Sequence, residues 1–227
     1  MDKDVAKRLL SAAGIPNAPF ECIESHQVSE VDISNLINKL GLPLFVKPAN
    51  QGSSVGVTKV TEKGMLDSAL RYAAEFDKKI VVESFIKGRE IECSVMGNEK
   101  PMASIPGEIL PKADFYSYDA KYSASSSSET QIPAAVSAEI IEQIKSLAIS
   151  CFKILQCEGM ARVDFFVQDS GRILVNEVNT LPGFTSISMY PKMWEASGIP
   201  LGKLLKELVD FAIKRSDREA KLKLSPS

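Results

Sequence analysis

The sequence predicts a mixed α+β protein, with amphipathic helices set between short strands that pair largely as hairpins. Three observations predict it. Helical and strand periodicities exchange repeatedly along the 227 residues, turn residues join neighbouring strands, and the composition is that of an ordinary globular chain, 44% hydrophobic and 25% charged. That composition excludes disorder, collagen and coiled coil. A net charge of −2 excludes a broad electrostatic nucleic-acid footprint. Apolar stretches such as Leu42 to Val46 are too short to span a bilayer, and with no charged-then-apolar opening a signal peptide is not expected. Cys22, Cys93, Cys151 and Cys157 form no Cys-x-x-Cys pair, so they are expected to be reduced packing residues in a cytoplasmic protein. The single histidine, His26, is expected on the surface and argues against histidine metal sites or triad chemistry.

In chain order, Asp2 caps a helix through Val5, Leu9 and Ala12 that Gly14 and Pro16 stop. A second helix covers Val31 to Leu40 and ends at Gly41. Pro43 to Lys47 and Val55 to Val60 read as strands, Met65 to Phe76 as a helix and Ile80 to Phe85 as a buried strand. Residues 1–86 thus form one small α/β lobe. Glu90 to Met96 is a strand turning at Gly97-Asn98. Residues 112–130 lack regular patterning but carry Phe115, Tyr116, Tyr118, Tyr122 and four consecutive serines, the composition of a functional loop. A helix follows over Ser137 to Leu155, then strands over Met160 to Gln168 and Arg172 to Asn179. The last helix, Leu201 to Lys214, places Leu204, Leu205, Leu208 and Phe211 on one stripe. Residues 215–227 are polar and expected to fray, with 87–215 forming the second lobe.

Ser170-Gly171 is turn chemistry between two alternating runs. A two-residue loop there would pair Asp169 with Arg172 and set Asp164 opposite Glu177 and Arg162 opposite Asn179, all on one face. Opposed carboxylates repel unless a hard cation lies between them. Mg²⁺ commonly takes one or two carboxylates together with substrate phosphates, and Asn179 can add an oxygen. Arg162 could meet a phosphate with its fork of donors. A plain solvated face is the alternative reading. Thr180-Leu181-Pro182-Gly183 follows, a turn able to aim N–H groups at an anion.

Gly52-Ser53-Ser54-Val55-Gly56 fits the serine-hydrolase elbow pattern. The elbow demands a following helix and a later histidine, and neither is present. A strand–loop–strand of small residues can instead fold over phosphates, with Lys47 on the feeding strand. Lysine inside an apolar strand needs a partner. No Walker motif is present. Glu92 and Glu108 read as strand-face charges, and Met193 and Trp194 as core.

Taken together, Phe45-Val46-Lys47-Pro48, Gly52 to Gly56, Val82 to Glu90, Ala120-Lys121-Tyr122, Ala161 to Asp164 and Asn176 to Gly183 resemble the D-alanine–D-alanine ligases, an ATP-grasp family, from Asp2 to about Ile213. The resemblance implies two α/β lobes with mainly antiparallel sheets enclosing the nucleotide, and residues 112–130 as a lid. It implies Lys3 and Lys47 on ATP phosphates with Ser54 also contacting the nucleotide, Glu83, Ser84 and Ile86 around adenine, and Glu90 on the ribose. It implies Asp164, Glu177 and Asn179 on two Mg²⁺ ions (or Mn²⁺), and Arg162 with the Gly183 backbone on the developing oxyanion. Ser53 and Tyr122 would belong to a hydrogen-bonded cluster at the substrate, Lys121 would enter from the lid, and Ser186 and Ser188 would hold the second D-alanine carboxylate.

The implied reaction phosphorylates one D-alanine carboxylate, and the amine of a second displaces phosphate, for peptidoglycan precursors in the cytoplasm. Tyr122 after Lys121 resembles the dipeptide-forming members more than those using D-lactate. The implied partners are D-alanine, ATP and, in the full-length family, a second subunit, with no nucleic acid or membrane. The chain is expected to lack the family's amino-terminal domain. The alternatives are another ATP-grasp carboxylate–amine ligase, or a nucleotide-binding module without turnover.

Overall fold

The computed structural model describes residues 2–110, 129–185 and 187–223. The expected lid therefore lies outside the described residues except for Glu129 and Thr130, as do Lys121, Tyr122 and Ser186. Two compact units are present. One gathers Met1–Arg89, Ile109–Glu129 and Phe166–Glu177, the other Glu90–Glu108, Thr130–Phe165 and Val178–Ser227, each over its described residues.

In the first unit, α1 (Lys3–Ala12) begins at Asp2, whose carboxylate accepts from Val5 N at 3.2 Å. Its inward face differs from expectation. Val5 and Leu9 are exposed, whereas Asp4, Ala6, Lys7 and Leu10 are buried. Spacings of three and four residues align Lys3, Lys7 and Leu10 on one face, and the buried charges there find partners. The strands β1 (Phe20–Glu24), β2 (Leu44–Pro48), β3 (Thr58–Val60) and β4 (Lys79–Ser84) form a sheet ordered β1-β4-β2-β3. The helices α2 (Ile33–Leu40) and α3 (Leu66–Ala74) contribute Leu36, Leu66 and Leu70 to a core with Leu44, Val46, Ile80 and Val82. Alternation along β2 and β4 therefore turns Lys47, Val81 and Glu83 to the opposite face.

β3 starts three residues later than its apolar pattern implies. Ser53, Ser54 and Gly56 have φ of 52°, 60° and 70°, left-handed backbone that a strand cannot contain. Glycine is required at 56: a Cβ there would lie 2.7 Å from Phe76 Cδ2 and from Pro48 Cγ. Gly56→Ala is expected to cost about 2 kcal/mol in urea unfolding. An unchanged midpoint would show that the loop repacks freely.

The second sheet comprises β5 (Arg89–Gly97), β6 (Met102–Ala103), β7 (Gly107–Leu110), β8 (Glu129–Gln131), β9 (Gly159–Val167) and β10 (Ile173–Asn179). Its order is β10-β9-β5-β7-β8, with β6 on β5. Met96 pairs with Met102, so the turn after β5 is longer than Gly97-Asn98. The turn after β9 is also longer than expected. Gln168 N donates to Arg172 O at 3.0 Å, Gly171 N donates to Gln168 O at 2.8 Å, and Gly171 has φ 81°. This is a three-residue loop with glycine in the left-handed position. It places Gln168, not Asp169, across from Arg172, so the ladder starts one residue out of the expected register.

In the second unit, α4 (Ala138–Ile154) is capped by Ser137. The unexpected helix α5 (Met189–Ala196) carries Pro191 in its first turn, where a missing N–H removes no helical hydrogen bond. Tyr190 Oη donates to Val95 O at 3.0 Å, and Ser94 Oγ donates to Tyr190 O at 3.2 Å, tying α5 to β5. Met193 and Trp194 are buried, as expected. The last helix, α6 (Leu201–Glu219), continues past Lys214. Arg215 pairs with Glu158 at 3.1 Å and with Glu219 at 2.9 Å, and Arg218 reaches Glu99 and Glu158, so this stretch is held where fraying was expected. Leu204 is buried, whereas Leu205 is exposed.

Candidate functional site

The charged face of the first sheet holds a cluster that the strand register builds. Lys47 pairs with Val81 and Glu83 with Phe45, which sets Lys47 and Glu83 on one diagonal within reach of long side chains. Lys47 Nζ makes an ion pair with Glu83 Oε1. α1 adds Lys7, whose Nζ lies 3.1 Å from Glu83 Oε2, and the three side chains are 10%, 5% and 4% exposed for Lys47, Glu83 and Lys7. Lys7 Nζ also donates to Ala18 O at 3.4 Å and stands 5.2 Å above the Phe20 ring. At the start of α1, Lys3 Nζ donates to Gln51 O and lies 3.9 Å from Glu177 Oε2.

Burial holds the Lys3 and Lys7 ammoniums below the usual lysine range, against the pull of Glu177 and Glu83 respectively. Burial also pushes the Glu83 carboxyl up, but Lys47 and Lys7 more than reverse this and leave it below the usual carboxylate range.

The Gly-Ser loop beside Lys3 is anchored at its base. Asp77 Oδ2 accepts from Asn50 N at 2.6 Å and from Asn50 Nδ2 at 2.9 Å, and Gln51 Nε2 donates to Phe76 O at 3.0 Å. Its tip, Gly52 and Ser53, is exposed, with Ser54 half-buried. Ser84 is placed beside Glu83 in sequence, but its hydroxyl donates to Leu40 O at 2.7 Å and closes the end of α2. Ile86 and Glu90 are half-buried.

In the second unit, Arg162 and Asp164 stand two apart on β9 and form a two-pronged pair, Nε to Oδ1 at 2.7 Å and Nη2 to Oδ2 at 2.8 Å. Glu92 of β5 approaches Arg162 Nε at 3.1 Å. Glu92 and Glu108 lie on β5 and β7 as charged strand residues, and at 5% and 4% exposed both are buried. Gly183 packs tightly: a Cβ there would lie 2.8 Å from Ser188 Oγ. Ser188 Oγ accepts from Thr185 N at 3.0 Å and lies 2.8 Å from Thr185 Oγ1. Asn179 Oδ1 accepts from Leu181 N at 3.0 Å, shaping the turn after β10. The thiols are inert by environment, burial pushing Cys93 and Cys151 up to about 12.

Sequence reasoning missed Lys7 and Glu92. The signal for Lys7 was its position four residues after Lys3 and three before Leu10, on the buried stripe. For Glu92 it was the shared β5 face with Glu90.

The residues present suit a polyphosphate. Lys3, Lys7 and Lys47 face Glu83 and Glu177, three positive groups against two negative ones, in a largely buried setting. They also suit a hard cation in kind. Asp164, Glu177 and Asn179 offer oxygen only, and among the described residues no three His, Cys, Asp or Glu side chains form a metal-holding group.

The architecture is the ATP-grasp fold, shared with solved ligases. The D-alanine-D-alanine ligase from Coxiella burnetii superposes with TM-score 0.86 at 41% identity, over 97% of this chain and 59% of its own. VanG D-Ala:D-Ser ligase from Enterococcus faecalis superposes at 0.84 with 39% identity, covering 93% and 61%. The D-alanine--D-alanine ligase of Oceanobacillus iheyensis is 52% identical over all 227 residues, which match 62% of its length. Residues 9–210 match the family model described as D-ala D-ala ligase C-terminus, and the chain belongs to that family. The chain thus spans about three-fifths of the length of the relatives it matches.

Proposed function

We propose that this chain binds ATP with Mg²⁺ and carries the nucleotide machinery of a ligase joining two D-alanines for peptidoglycan precursors in the cytoplasm. The observation that carries the reading is the buried Lys7–Glu83–Lys47 arrangement beside Lys3. Lys3 and Lys47 orient the triphosphate, and the Gly-Ser loop, with Ser53 and Ser54, covers it from a base fixed by Asp77. Glu83, Ser84 and Ile86 border the adenine and Glu90 the ribose, Ser84 contributing its backbone because its hydroxyl serves Leu40.

Asp164, Glu177 and Asn179 would hold Mg²⁺ (two ions, or Mn²⁺). When bound it supplies charge neutralisation on the transferring phosphoryl group. Arg162, pre-oriented by Glu92, and the Gly183 N–H stabilise the oxyanion as an amine attacks the activated carboxylate. Ser53 and Tyr122 belong to a hydrogen-bonded cluster at the substrate, Lys121 enters from the 112–130 loop, and Ser186 and Ser188 hold the carboxylate of the second D-alanine. Pairing of two subunits is part of the same proposal. Among the described residues no helix is long and apolar enough to cross a membrane.

The test is calorimetry of the chain with ATP, with and without MgCl₂, beside phosphate release on adding D-alanine. ATP binding strengthened by Mg²⁺ is expected, and Glu177→Gln is expected to remove the Mg²⁺-dependent part. Equal affinity in that variant would return the hairpin to a plain charged face. Phosphate release indifferent to D-alanine would overturn the assigned substrate.

A further inference from the structure

Lys7 has no route to a substrate. It is 3% exposed, and its ammonium is occupied by Glu83 Oε2 at 3.1 Å, Ala18 O at 3.4 Å and the Phe20 ring. Yet it shares its carboxylate with Lys47, the lysine that the proposed function places on phosphate. One carboxylate between two ammoniums leaves a net positive charge. Without Lys7, Glu83 and Lys47 would be a closed neutral pair, and the pull on an incoming anion would shrink.

We infer that Lys7 is a positioning residue that neutralises Glu83 from behind, so that Lys47 keeps its charge for the nucleotide phosphates. The inference rests on the nucleotide reading above. Lys7 and Glu83 come from different elements, α1 and β4, and both lie on the charged face of the first sheet. The same face carries Lys79, but that ammonium is held by Asp2 and by Asp4 at 3.3 Å and so does not substitute for Lys7.

The test is calorimetric binding of Mg·ATP, inorganic tripolyphosphate and adenosine to the wild-type chain, Lys7→Met, Glu83→Gln and the double variant. Lys7→Met is expected to weaken ATP and tripolyphosphate about tenfold, the scale of one charge-assisted contact, and to leave adenosine unchanged. With Glu83 already neutral, only the through-space pull of the buried Lys7 charge remains to be lost. The double variant should therefore bind tripolyphosphate well under tenfold more weakly than Glu83→Gln, a comparison that holds even if Lys7→Met alone does not fold.

A further tenfold loss in the double variant overturns the inference, because Lys7 then acts on something other than Glu83. A parallel loss of adenosine binding in Lys7→Met also overturns it, because Lys7 then supports the base pocket. Wild-type binding with no loss in a folded Lys7→Met overturns this inference alone. A wild-type chain that binds neither ATP nor tripolyphosphate overturns the nucleotide reading and this inference with it.

Discussion

Glu83→Leu is expected to destabilise the chain by about 3–5 kcal/mol in urea unfolding, because it strands two buried ammoniums. Lys7 and Lys47 are nearly as inaccessible as the carboxylate between them, and no other acidic side chain is paired with either among the described residues. A loss below about 1 kcal/mol would mean that water enters the cluster and screens the charges.

The same cluster sets a pH dependence. The Glu83 carboxyl is held below its ordinary 4.5, so its contribution is fully present above that value and fades as the pH falls through the folded value. Glu83→Gln should therefore show a shallower acid limb than the wild type. Lys7 has the opposite relation to pH. Its ammonium is held below the ordinary 10.5, so its burial cost is present at neutral pH and is relieved as the pH rises toward 10.5.

Arg162→Met is the second change with a large expected effect, about 3 kcal/mol or more of stability. It removes the guanidinium that Glu92 and Asp164 share, both of them buried. On the proposed oxyanion role, it should also lower the rate of any enzyme form that turns over by roughly 100-fold. Arg162→Lys separates the two effects, since it restores charge but not the planar fork that meets both Asp164 oxygens. Stability should recover in part while turnover stays low. Equal recovery of both would assign Arg162 to charge balance alone.

Lys47 was legible in the sequence because a lysine amid Leu44, Phe45 and Val46 has few structural excuses. Lys7 was hidden because a lysine in an amphipathic helix ordinarily marks the solvent side, and α1 reverses that assignment, burying Lys7 and exposing Val5 and Leu9. The β9–β10 hairpin was legible as a hairpin but not in register. Asp169-Ser170-Gly171 supports both a two-residue and a three-residue loop, and the hydrogen bond from Gln168 N to Arg172 O decides for the longer one. Short β1 and β8 carry too little alternation to stand out, and Pro191 interrupts the helical pattern of α5. Roles such as those of Ser84 and Ser188 came from resemblance alone. The hydrogen bonds to Leu40 and Thr185 show what those hydroxyls do within the fold.

The most direct measurement is a crystal structure of this chain with a non-hydrolysable ATP analogue and Mg²⁺. Phosphate oxygens are expected within hydrogen-bonding distance of Lys47 and Lys3 Nζ, with Lys7 still on Glu83. A nucleotide bound away from α1 and β2, or seated there with Lys47 making no phosphate contact, would contradict that expectation.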